Sequence, residues 1–238
     1  MKKLFFLTFL LATTTFWAQT ADGLVQNYLN AIGGDKLDQV HSILQKGVMN
    51  MSGMDFPTES YQDTSGKMYT KLNMMGQEIT ALAFDGQKGY MFDNATFGYK
   101  DIPDSLTHQF KEKAQNLFGY FYRYKQKGSQ VKYLGKQKLD SINYDTVLLT
   151  LAKPAEGNIK ELTVFFNPKT HLIEAIKIVK DGHIIFTKPQ AYKTFDGIGL
   201  PTKIVTVMDD QPVMTIKLDE IKINPPAPDP SIFSKPKQ

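Results

Sequence analysis

Hydrophobic and polar positions alternate along most of the chain. Turn residues interrupt the alternation at about 10–15 residue intervals, the pattern of an all-β sheet or barrel rather than of alternating β and α units. The pattern is clearest from 158 to 224. Ile159–Phe166 reads as a strand, and Asn167-Pro168-Lys169-Thr170 turns the chain. Residues 171–180, 183–194, 200–208 and 213–224 follow as strands. They are separated by Asp181-Gly182, by Asp196-Gly197 with Gly199, and by Asp209-Asp210-Gln211-Pro212. Upstream, 42–51, 64–74, 78–84 and 88–92 read as strands, and 130–139 with 143–152 as a hairpin. In the second of these, Met68, Thr70, Leu72 and Met74 alternate with Lys67, Tyr69, Lys71 and Asn73, which predicts one buried and one wet face. Further on both faces are apolar. Leu162, Val164 and Phe166 face away from Phe165, and Leu172, Ile176 and Ile178 oppose Ile173, Ala175 and Val179. Such strands need cover on both sides: helices on one, and a cavity or a second layer on the other.

Two segments carry the helical period instead. Ala21, Leu24, Val25, Tyr28, Leu29 and Ile32 make one apolar stripe that Gly33-Gly34 terminates, and Asp35 caps a short helical turn over 35–40. Residues 103–118 form the second helix, started by Pro103, Asp104 and Ser105. Its stripe is Leu106, Phe110, Ala114, Leu117 and Phe118, opposite His108, Lys111 and Glu112. Tyr120, Phe121, Tyr122 and Tyr124 follow as a dense aromatic group, open to reading as a hydrophobic latch or as core packing. The tail from 224 to 238 holds Pro225, Pro226, Pro228, Pro230 and Pro236, too many for a central strand. Ile232 and Phe233 are placed to pin it to the body.

The N-terminus changes the setting. Met1-Lys2-Lys3, an apolar run over 4–11 and small or polar residues to Ala18 match a secretory signal peptide cleaved after Ala18. The run is shorter than the roughly 20 apolar residues of a transmembrane helix. The expectation is a periplasmic, monomeric protein with no transmembrane span, in which 19–238 form one domain. The chain has no cysteine. Disulfides, thiolate metal sites and a lipid-bearing cysteine are therefore excluded, so the protein is not itself a lipoprotein. The formal charge is +4, of which Lys2 and Lys3 supply two units. Lysines are spread along the chain, and Arg123 is the only arginine. Lys111, Lys113, Arg123, Lys125 and Lys127 come nearest to a cluster and read as a solvated face, not a nucleic-acid site. His41, His108, His171 and His183 show no metal-ligand spacing, no nucleophile motif or phosphate loop occurs, and Asp209-Asp210 reads as a turn. The chain is read as a non-enzymatic protein without metal or cofactor.

Several stretches together resemble a known family. They are Tyr28-Leu29-Asn30-Ala31-Ile32-Gly33-Gly34, Phe84-Asp85-Gly86-Gln87-Lys88-Gly89-Tyr90-Met91, Asp196-Gly197-Ile198-Gly199-Leu200-Pro201, and the ending from Asn224-Pro225-Pro226 to Ile232-Phe233. In order and spacing they resemble the LolA-like outer-membrane lipoprotein-sorting proteins, in their divergent exported branch, over about residues 21 to 236. The resemblance implies a mainly β fold: a single curved, incomplete antiparallel barrel of about 11–13 strands, with two main helices covering its concave side. It also implies an activity, the holding of lipid or lipoprotein acyl chains between sheet and helices. The family's lid-latching arginine has no counterpart in the early strands here, so no latch residue is carried over. An envelope-stress sensor or regulatory module, binding envelope proteins on the same fold, is the alternative. Nine methionines beyond Met1 suit an adaptable apolar surface. The expected lining is Met68, Leu72 and Met74 with Leu162, Val164 and Phe166, covered by Phe110 and Leu117.

Overall fold

The structure, a computed structural model, describes residues 20–155 and 157–236. The expected signal peptide over 1–18 lies outside the described residues. Thirteen strands form one antiparallel sheet whose two edges do not pair with each other. In chain order they are β1 (Ser42–Met51), β2 (Met54–Asp63), β3 (Met68–Met74), β4 (Gln77–Phe84), β5 (Gly89–Asp93), β6 (Gly98–Asp101), β7 (Gln130–Leu139), β8 (Ile142–Ala155), β9 (Ile159–Phe166), β10 (Ile173–Lys180), β11 (His183–Phe195), β12 (Ile198–Met208) and β13 (Gln211–Ile223). Helix α1 (Ala21–Ala31) precedes β1, and α2 (Asp104–Gln115) connects β6 to β7. Each strand pairs with its sequence neighbour except at one place. β6 and β7 are the free edges, and the sheet is continuous because β1 pairs with β13.

Proline placement shows how the ladders end. Pro57, Pro189, Pro201 and Pro212 lie inside strands, yet each is ladder-paired on one side only. Pro57 opposes Val48 of β1, while the ladder to β3 begins at Thr58. Pro189 opposes Ile204, and the ladder to β10 stops at Thr187. Pro201 opposes Tyr192, and the ladder to β13 begins at Lys203. Pro212 opposes Val207, and the ladder to β1 begins at Met214. A residue with no N–H to donate is tolerated where no second neighbour asks for it.

Both faces of the sheet are covered in part. On the concave face, Leu24, Val25 and Tyr28 of α1 pack with Leu117, Phe118 and Phe121 onto Val147, Leu149, Leu162, Val164, Phe166, Ile198 and Ile221. Phe110 and Ala114 of α2 pack onto Met68 and Phe84. Thr20 caps α1 by accepting from the Gly23 N–H at 3.0 Å. On the convex face Tyr144, Phe165 and Ala175 make a small cluster. The tail covers another patch there. Ile232 and Phe233 sit against Tyr61, Tyr69 and Tyr90, and the Tyr90 hydroxyl donates to the Ile232 carbonyl at 2.7 Å.

Three sequence expectations change. The far face of 67–74 is not wet throughout: Lys67 is exposed, but Tyr69 is buried because Phe233 covers it, the two rings meeting edge-on at 6.4 Å. Ile173 shares the concave face with Ile176, because a bulge between Ile173 and Ala175 adds one residue and reverses the alternation. The second helix ends at Gln115, so Leu117 and Phe118 reach the core from the segment after it. The sequence reading also had no β2 and no β6.

Candidate functional site: an open apolar trough

The eight sequence-derived residues fall into three places. Met68 and Phe110 meet beneath α2, with Phe84 and Ala114. Leu117, Leu162, Val164 and Phe166 meet beneath α1 in the larger core cluster. The Phe166 ring stacks obliquely against Tyr28 and Phe121, at centroid distances of 5.9 and 5.4 Å. These six are closely packed core side chains. Leu72 and Met74 lie farther along β3 and are only half-buried.

The reason is a mismatch of lengths. An 11-residue helix such as α1 spans about 16 Å, whereas a 13-residue strand such as β13 spans about 43 Å. Over β1–β4 and β9–β13 the helices sit at one end of the sheet, and only at β8 does α2 reach the other, His108 Nε2 lying 2.9 Å from Lys153 Nζ. Their contacts are at the starts of β1, β3, β10 and β12 and the ends of β4, β9 and β13, through Ile43, Met68, Ile173, Ile198, Phe84, Phe166 and Ile221. The Gly199 N–H, hydrogen-bonded to the Ile32 carbonyl at 2.8 Å, fixes the end of α1 there.

Toward the other end the concave face continues without that cover. The register places Met49, Phe56, Leu72 and Ile79 on the same face as Met68, side by side across β1 to β4. It places Ile216, Ile204 and Ile185 on the same face as Ile221 and Ile176, across β13, β12 and β11. Met74 and Met214 extend the rows toward the hairpin tips. All nine are half-buried, and none belongs to a core cluster. Only Leu72 and Met74 of these were anticipated. The signal for the others was period-two alternation running past the helix-covered half of each strand. A cleft of about 260 Å³ lies between the end of α2, the segment that follows it and β8, but Glu112, Asn116, Lys127, Ser129 and Lys153 line much of it, and it is too polar for a hydrocarbon.

Carboxylates tie the helix layer together. Asp38 accepts from the Tyr122 hydroxyl at 2.5 Å and from the Arg123 guanidinium at 2.9 Å, and Asp22 accepts from the Tyr124 hydroxyl and pairs with Lys125 at 3.0 Å. The Tyr122 and Tyr124 bonds, then the cations, hold both carboxyls below the usual aspartate range. The aromatic group after α2 thus packs and latches at once. Phe121 and Tyr124 fill core, and Tyr122 and Arg123 clasp the 3-10 turn Gly34–Gln39.

At the uncovered end, His183 Nδ1 lies 2.5 Å from Asp209 Oδ2 and joins the β10–β11 tip to the β12–β13 tip. The hydrogen bond to Asp209, then its charge, raises the His183 pKa above the ordinary 6.5. What this pair contributes is complete between the ordinary aspartate range and 6.5; it fades as pH rises through the raised His183 value, and again in acid as Asp209, itself held low by His183, is protonated. An NMR titration of the His183 ring should give a midpoint above 6.5 that returns toward 6.5 in Asp209→Asn; an unshifted wild-type midpoint would mean the tips are not joined in solution.

No protein-family model and no curated protein matches the sequence. Among the described residues, no helix is long and apolar enough to cross a membrane. Solved structures do match the fold. A domain from Vibrio parahaemolyticus assigned to outer-membrane lipoprotein sorting superposes with a TM-score of 0.60 at 9% identity, over 88% of this chain and 94% of that one. A DUF1329 family protein from Desulfovibrio piger gives 0.59 at 13% identity, over 89% and 96%. A LolA superfamily protein from Nitrosomonas europaea gives 0.56 at 12% identity, over 91% and 98%. The open thirteen-stranded sheet, with its helices at one end of the concave face, is a divergent form of the LolA-like fold.

Proposed function

We propose that the protein is an exported, non-enzymatic carrier of lipid or lipoprotein acyl chains in the cell envelope, and that the chain lies in the open half of the trough. The observation that carries this reading is the continuous row of half-buried apolar side chains outside every core cluster. Side chains such as Met49, Ile204 and Ile216 have neighbours on either side and no layer above. A hydrocarbon chain would supply that layer, at about 0.8 kcal/mol for each CH₂ removed from water. No polar anchor is needed for a long chain at that rate. Leu72 and Met74 belong to the floor in this proposal. Met68, Phe110, Leu117, Leu162, Val164 and Phe166 form the packed wall where the chain stops. The lipoprotein-sorting assignment of the Vibrio domain supports the choice of acyl chains.

A titration with a fluorescent acyl probe tests the reading. Burying an unpaired charge costs several kcal/mol, and about 1.4 kcal/mol is tenfold in affinity. Met49→Glu and Ile216→Glu should each weaken binding at least tenfold while circular dichroism shows the native sheet. Thr215→Glu, one residue along on the convex face, should bind as wild type does. Folded Met49→Glu and Ile216→Glu proteins with wild-type affinity would remove the trough as the site. Native mass spectrometry of protein from envelope fractions should show lipid adducts; a stoichiometric protein partner in their place would favour the regulatory alternative.

A further inference from the structure

Because the sheet is a meander, its hairpin tips divide between its two ends. The turns at 52–53, 75–76, 94–97, 181–182 and 209–210 lie at the uncovered end; the turn at 157–158 points the same way but stands beside α2, whose His108 Nε2 is 2.9 Å from Lys153 Nζ. Nine large hydrophobic side chains are exposed among the described residues, and seven of them are at or beside these tips: Met51, Met54, Met75, Phe97, Val179, Ile184 and Met208. Surface apolar residues scattered singly need no explanation; this concentration at one rim does.

The backbone gives a second, independent sign. Met75 and Phe97 are 104% and 82% exposed, and both hold left-handed conformations, with φ of 54° and 51°. That region suits glycine or asparagine and is unfavourable for a bulky side chain. Met75, fully exposed, gains nothing from the folded chain that carries it, and Phe97 gains only an edge-on contact with Phe92 at a centroid distance of 6.3 Å. Cover for the rest of their surface has to come from something outside.

We propose that this rim docks onto a lipid bilayer, its Met51, Met54, Met75, Phe97 and Met208 side chains entering the hydrocarbon boundary. Three features favour a bilayer over a folded protein. The five side chains are divided among four tips, Met51 and Met54 flanking the same turn, and each tip sets them beside polar turn atoms and not in one continuous strand row. Four of the five are methionines, which adapt to a fluid phase without a shaped pocket. The tips surround the open end of the trough, so a chain could pass between bilayer and floor without crossing water; this step rests on the acyl-carrier reading. Charge sets the kind of bilayer. The four tip segments that carry these five side chains, 51–54, 74–77, 94–98 and 208–211, contain no lysine or arginine and only Asp209 and Asp210 as charged residues; the neighbouring 179–184 tip adds one lysine, Lys180, beside Asp181. A polybasic surface would seek anionic lipid. This rim fits a zwitterionic one and should be insensitive to salt.

Flotation with phosphatidylcholine vesicles, using protein purified from the envelope fraction of the expression host, tests the proposal. Wild type should float with the vesicles at low and at high salt. Met75→Glu/Phe97→Glu should lose at least tenfold in partitioning, while Ile142→Glu, at the opposite end, should float as wild type does. The double variant should keep its acyl-probe affinity, since both positions stand in turns outside the ladders, unlike Met51 and Met54, which pair in register with the floor row at Met214; this separates failure of the rim from failure of the carrier reading. The proposal is overturned if wild type stays with the aqueous phase. It is overturned if wild type binds only anionic vesicles and is released by salt, or if the double variant floats undiminished. A concentration-dependent dimer that disappears in the double variant, without vesicle binding, would assign the rim to a second copy of this chain instead.

Discussion

Val164→Glu should unfold the protein, whereas Leu72→Glu should leave it folded. By sequence the two positions are equivalent, each an apolar residue on the concave face of a strand. Val164 is 1% exposed and sits between Val147 and Ile176 under the helix layer. A carboxylate there has no partner, and the penalty of several kcal/mol approaches the whole stability of about 5–15 kcal/mol expected of a folded domain. Leu72 is half-buried, in an open row between Thr58 and Ile79. Its glutamate can reach solvent, so the change should stay within about 1 kcal/mol and show in acyl-probe affinity instead. Denaturant titration followed by circular dichroism separates the two outcomes. If Leu72→Glu unfolds as readily as Val164→Glu, the floor is ordinary core and the open trough does not exist in solution.

That contrast also marks how far the sequence could be read. Alternation located Ile159–Phe166 to the residue, and it separated Leu162, Val164 and Phe166 from Phe165 because each group is apolar at period two. It could not say which stretch of a strand the helices cover. Hydrophobicity records that a position needs an apolar environment, not whether protein or ligand provides it. Tyr69 was misread because its cover, Phe233, comes from the far end of the chain. β2 was missed because Met54–Asp63 is largely polar and contains Pro57, which argues against a strand until the one-sided ladder at that residue is known. Ile173 was assigned the wrong face because a bulge leaves no signature in composition. Exposure at the hairpin tips was equally hidden. Met75 in a turn and Met68 in the core are the same residue type, and only backbone conformation and packing distinguish them.

Gly47→Ala should destabilise the protein by about 3 kcal/mol, near the upper end for a side chain forced into a filled space. β1 and β13 are joined where the chain's first and last strands meet, and that seam is irregular. Lys46 opposes Glu220, but Gly47 opposes Leu218, which leaves Asp219 as an extra residue in β13. The bulge brings β13 so close that a Cβ on Gly47 would stand 1.9 Å from the Lys217 carbonyl oxygen. The obstacle is backbone, so no rotamer change relieves it, and the ladder itself must move. The melting temperature should fall by roughly 6–12 °C, at about 2–4 °C per kcal/mol for a chain of this size. Gly135→Ala is the comparison. Gly135 has φ of 86° with nothing within 4 Å of its Cβ position, so only the backbone penalty of about 1–2 kcal/mol applies. The seam also carries the trough, because Met49 and Ile216 oppose each other two residues beyond Gly47. Folded Gly47→Ala protein should therefore lose acyl-probe affinity, which Gly135→Ala on the edge strand should keep. A Gly47→Ala protein as stable as wild type would show that β13 yields freely at the bulge and that the seam does not set the curvature of the floor.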